Sequence, residues 1–93
     1  MENAGEYAAG DGYKAYKQWL EQNPLKKFRT SQEPKSLSRM AVGAMLGVSH
    51  MSVQMWENGT KPNEENLQAI GRLIGSTDIE AEWDAWLTAA PQV

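Results

Sequence analysis

From Tyr13 onward the chain is interrupted at short intervals by residues that start or stop helices, and this punctuation confines it to short helical pieces. Between the interruptions, apolar residues recur at the spacing of one helical face. No segment alternates with the period of a half-buried strand. Tyr13–Gln22 carries apolar residues at 13, 16, 19 and 20, as a short helix would. Asn23 can cap a helix that begins on Pro24 and runs to Gln32, with Leu25 and Phe28 on one face. Pro34 disfavours helical geometry at Glu33, so 33–36 reads as a loop. Ser38 suits the N-cap of a helix over 38–46. Gly47 then opens a tight turn, because glycine takes positive φ at little cost. Residues 50–58 form the next helix, closed by Gly59. Asn63 caps 64–74, where Glu64 and Glu65 suit the positive end of the helix dipole and Leu67, Ile70, Leu73 and Ile74 form the apolar face. Thr77 and Glu80 read as a capping box that opens a last helix over 78–90, with Ile79, Trp83, Trp86 and Leu87 as its stripe. The expected fold is all-α, with five core helices and a short one before them.

The chain has 93 residues, the length of one domain with a modest core, and 41% of them are hydrophobic, which argues against disorder of the whole chain. No apolar run approaches the roughly 20 residues of a membrane span. The acidic, Gly/Ala-rich start lacks the pattern of a secretory signal and reads as a flexible lead over 1–12. Cysteine is absent, so neither disulfides nor thiolate metal sites are expected, and a reducing cytosol is compatible. With a single histidine, carboxylates spread over capping positions and no phosphate-binding glycine loop, the chain offers no catalytic constellation and no metal site. An enzyme is not expected, and no cofactor is implied. The net charge is -3, but the charges are unevenly spread. Lys14 to Arg39 holds seven basic and two acidic residues, whereas Ser76 to Val93 holds four acidic residues and no basic ones. A folded chain can therefore carry a basic face and an acidic face.

Two short helices joined by a glycine turn describe a helix-turn-helix. The residues around that turn, VGAMLGVSHMSVQMWENGTKP from Val42 to Pro62, resemble the phage-repressor (Cro/cI, or XRE) family of DNA-binding domains. The resemblance rests on Val42, Gly43, Leu46, Gly47, Val48, Ser49, Val53, Trp56, Glu57, Gly59, Lys61 and Pro62. Leu25, Phe28 and Arg29 fit the family's first helix. Leu67, Ile70, Gly71, Ile74 and Gly75 fit its fourth. The family-like core spans 24–77 of a single domain over 13–93, leaving 13–22 and 78–90 as accessory helices. Three departures stand out: a longer loop between Thr30 and Leu37, glycine at 43 where alanine is usual, and an unusually apolar helix 38–46. The resemblance implies a cytoplasmic transcription regulator, a repressor of a phage or mobile element, bound as a homodimer to double-stranded operator DNA.

On a helical wheel, Val53, Trp56 and Glu57 fall on one side of 50–58, and His50, Met51, Gln54, Met55 and Asn58 on the other. Gln54 can pair with adenine, His50 can donate to a base acceptor or a phosphate, and Met51 and Met55 can touch thymine methyls. The two methionines equally suit a core or a protein contact. The resemblance makes His50, Met51, Gln54 and Met55 the base-reading set. It also favours Arg39, Asn58 and Lys61 as backbone anchors, with Lys35, Ser38, Ser49 and Ser52 adding hydrogen bonds; phosphate anchoring needs charge that base reading does not. It further suggests an ion pair between Arg29 and Glu57 that locks the first helix to the third. Met40, Ala41, Ala44 and Met45 form a second apolar arc, which the extra N-terminal helix over 13–22, a second subunit or another protein could cover. Trp83 and Trp86 either fill the core or form a dimer contact. The acidic end would best sit away from DNA. From a different class, the same fold could serve as a protein-interaction module or an antitoxin that binds a partner through the Met-rich surface.

Overall fold

The computed structural model describes residues 11–91. Most of the expected lead, residues 1–10, lies outside the described residues. Six helices follow in order: α1 (Asp11–Glu21), α2 (Pro24–Thr30), α3 (Arg39–Leu46), α4 (His50–Glu57), α5 (Glu64–Ile74) and α6 (Ile79–Thr88). No strand occurs among the described residues. The fold is all-α, as expected from the sequence.

Local capping chemistry sets most of the boundaries. The side chains of Asn23, Ser38, Ser49 and Asn63 each accept a hydrogen bond from a backbone N–H in the first turn of the helix they precede. Helix α1 begins at Asp11, two residues before the first apolar position, Tyr13, and ends at Glu21. Helix α2 stops short of Gln32: the Ser31 N–H closes its last turn on the Lys27 carbonyl at 3.1 Å.

One expectation is corrected at α6. Thr77 and Glu80 do not form a capping box; the N-cap is Asp78, and its side chain makes no capping bond. The Ser76 hydroxyl takes over the local role. It accepts from the Asp78 N–H at 3.2 Å and donates to Glu82 Oε2 at 2.9 Å. Glu80 is drawn instead to Lys61.

The core gathers one face of every helix from α2 to α6: Leu25, Val42, Val53, Trp56, Leu67, Ile70, Ile79, Trp83 and Trp86. Fully burying each large apolar side chain contributes about 1.5–3 kcal/mol. Trp83 is wholly buried and Trp86 nearly so, and both pack into the core.

Helix α1 joins this core through aromatic contacts. The Trp19 and Trp86 rings stack with centroids 4.3 Å apart and planes 5° apart. Each indole N–H also donates to the other residue's backbone carbonyl, at 2.6 Å from Trp19 and 2.7 Å from Trp86. The aromatic anchor of α1 is thus α6, and the outer arc of α3 stays open: Met40 and Met45 are 69% and 54% exposed.

Candidate nucleic-acid interface

The turn between α3 and α4 is built by two glycines with different tasks. Gly47 adopts φ +75°, and its N–H bonds the Ala44 carbonyl while the Val48 N–H bonds the Gly43 carbonyl. This left-handed helix stop satisfies carbonyls that would otherwise lack partners. Gly43 is required by proximity: a Cβ there would lie 2.6 Å from the Val48 oxygen. The departure from the family's usual alanine therefore has a steric cause in the close return of the turn onto α3.

Helix α4 is seated by its inner face. Val53, Trp56 and Glu57 are buried, while His50, Met51, Gln54, Met55 and Asn58 are exposed. The division follows the 3.6-residue period of the helix. Ser49 caps its start, accepting from the Ser52 N–H at 3.2 Å, and the half-buried Ser52 hydroxyl lies 3.4 Å from that of Ser49. The exposed arc is polar and apolar with neither lysine nor arginine, so any phosphate anchoring has to come from flanking elements.

Glu57 ties three helices together. Arg29 of α2 grips its carboxylate with two bonds, Nε to Oε2 at 2.7 Å and Nη2 to Oε1 at 3.0 Å. Arg29 Nη1 also donates to the Leu37 carbonyl at 3.1 Å, pinning the end of the long loop. Arg39 of α3 adds Nε to Oε1 at 3.1 Å. Asn23, fully buried, provides a link that the sequence showed only as a helix cap. Its Oδ1 accepts from the Lys26 N–H at 2.9 Å while its Nδ2 donates to the Trp56 carbonyl at 3.2 Å. One side chain thus starts α2 and holds the end of α4.

The remaining candidate anchors have different surroundings. Lys35 and Ser38 are exposed beside the start of α3, and Ser49 is exposed at the start of α4. Lys61 is engaged within the chain: its Nζ lies 2.9 Å from Asp84 and 3.3 Å from Glu80. The hydrogen bond to Asp84 is the main cause that raises its pKa above the usual lysine value, with Glu80 adding to it. The acidic end, expected to sit away from DNA, reaches one of the candidate anchors, Lys61. Spacing could not reveal this, because Glu80 and Asp84 share a face of α6 that only the tertiary fold turns toward Lys61. Among the described residues, no group of three histidine, cysteine or acidic side chains could hold a metal, and no helix is long and apolar enough to cross a membrane.

A helix-turn-helix family model of the Cro/cI (XRE) type matches residues 25–80, which takes in α2 through α5 and the first residues of α6. The chain belongs to this family. No curated protein and no solved structure matches it. As a member, this helix-turn-helix protein is a DNA-binding regulator of transcription. Helix α1 and most of α6, including the Trp19–Trp86 contact, fall outside the family match.

Proposed function

We propose that this helix-turn-helix protein is a sequence-specific repressor that reads the major groove of operator DNA with α4. The observation that carries this reading is the rigid seating of α4: Val53, Trp56 and Glu57 hold one face in the core and leave His50, Met51, Gln54 and Met55 on the other. An α-helix fits the major groove, where Gln54 can bond the adenine edge and His50 can donate to a base acceptor or a phosphate. Met51 and Met55 supply apolar contact to thymine methyls. Lys35, Ser38, Arg39, Ser49, Ser52 and Asn58 serve the backbone. Lys61 serves it only in exchange for Glu80 and Asp84. The protein acts in the cytoplasm on a phage or mobile-element operator, as a homodimer whose contact lies elsewhere than Trp83 and Trp86.

Selection of bound duplexes from a random library tests this. A single motif is expected, repeated as two half-sites about 10 base pairs apart. Its affinity should fall linearly with the logarithm of salt. Failure to enrich any motif overturns the reading.

A second reading is supported by the four methionines Met40, Met45, Met51 and Met55, which are 48–69% exposed on α3 and α4. A protein partner could cover them, as in an interaction module or an antitoxin. A stable complex with a co-purified protein, together with no selected DNA motif, favours that reading.

A further inference from the structure

We infer that Glu57 is a positioning residue for DNA binding: it aims Arg39 at a backbone phosphate while Arg29 neutralises its charge. The inference rests on the reading of α4 as the DNA-reading helix and adds a second task to a carboxylate otherwise explained as a structural lock.

Two guanidinium groups meet one carboxylate, so the group carries a net positive charge. Arg29 alone satisfies Glu57: it binds both oxygens, is 12% exposed and spends a third nitrogen on the Leu37 carbonyl. Arg39 is the surplus cation. It gives only Nε to Glu57 and is 38% exposed, and its two terminal nitrogens have no partner among the described residues. Those terminal nitrogens are the fork that binds a phosphate through two parallel bonds.

Helix α3 itself gains nothing from this cation. Arg39 is the first residue of α3, where the helix dipole disfavours positive charge, and the first turn of α3 holds no acidic residue to offset it. An anion from outside the chain removes that conflict. Glu57 is 1% exposed and anchored in α4, so the bond to Arg39 sets the direction of a long side chain relative to the reading helix. Less rotamer freedom is then lost when a phosphate binds. A lysine at this position would not do the same, since its ammonium is a point charge without the planar fork that holds Glu57 by one nitrogen and presents two parallel N–H groups to the phosphate.

The test uses the full chain and a duplex selected for binding to it, with affinity measured across a salt series and melting temperature for each variant. Arg39→Ala should weaken binding roughly ten-fold or more, the scale of a hydrogen bond to a charged group. It should also make the slope of log affinity against log salt shallower by about 0.9, the value of one phosphate contact. Its melting temperature should change little, because Arg29 still holds Glu57. Arg39→Lys keeps the charge and should not recover the lost affinity. In Glu57→Gln, assayed below its own melting point, a further Arg39→Ala change should cost clearly less than it does in the native background. An unchanged salt slope in Arg39→Ala, with or without a drop in melting temperature, overturns the inference while leaving the DNA-reading role of α4 intact. Full recovery by Arg39→Lys overturns the positioning role of Glu57. Failure to select any duplex overturns the reading and this inference together.

Discussion

Two clasps hold this molecule, and they are made of opposite materials. Arg29 and Glu57 join α2 to α4 through a buried carboxylate, with bonds of 2.7 and 3.0 Å. Trp19 and Trp86 join α1 to α6 through stacked rings and two indole bonds to backbone, with no charge involved. The ionic clasp lies within the family match, beside the candidate DNA interface, and the aromatic clasp lies outside it. A buried charge is costly to leave unpaired, so the ionic clasp tolerates few alternative arrangements and holds α4 in one place. An aromatic stack gains most of its stability from burial, which is less directional. The two clasps divide the labour: the ionic clasp orients α4, and the aromatic clasp adds core to a small domain.

Breaking the ionic clasp should have the largest effect. Glu57→Ala leaves Arg29 facing the protein interior without its counter-charge, and should cost about 3–5 kcal/mol in urea unfolding. DNA binding should be lost along with it. A destabilisation near zero would mean that the clasp is no more than a surface pair. Asn23→Asp comes next. It keeps the acceptor that caps α2 but replaces the donor to Trp56 with a carboxylate, and should cost about 1–3 kcal/mol.

Trp19→Phe sharpens the comparison from the other side. A phenyl ring can still stack on Trp86, but the Trp86 carbonyl loses the indole donor and keeps only the Ala89 N–H at 3.2 Å, for an expected cost of about 0.5–1.5 kcal/mol. The DNA titration curve should not move once the folded fraction is matched. A loss of affinity would show that the two clasps are coupled.

The smallest effect belongs to Lys61. Its pKa is raised by the hydrogen bond to Asp84 first, and then by Glu80. Its contribution to stability is therefore fully present below the unfolded lysine pKa, about 10.4, and is lost as pH rises through the higher folded value. The urea midpoint of Lys61→Met should fall slightly below that of the native chain at pH 8 and low salt. The gap should close at high salt and in strongly alkaline buffer.

The legibility of the chain followed the range of each interaction. The caps at Asn23, Ser38, Ser49 and Asn63 were readable because each acts over a single turn. The two faces of α4 were readable because helical period assigns a side before any neighbour is known. The Thr77–Glu80 box was misread, although it is equally local, because two competitors intervened: the Ser76 hydroxyl on one side and Lys61 on the other. The Arg29–Glu57 pair came from family resemblance, since nothing in a separation of 28 residues points one charge at the other.

The amino-acid sequence by itself determined the all-α fold, the position of the turn at Gly47 and the set of side chains on the outer arc of α4. These depend on backbone preferences and helical period, which act within a few residues. Only the tertiary structure decided that Trp83 and Trp86 are core, that Trp19 closes on Trp86, that Asp84 and Glu80 hold Lys61 and that Arg39 shares Glu57 with Arg29. Those contacts join residues far apart in the chain, and their partners are chosen by how helix faces pack and how buried charges find compensation.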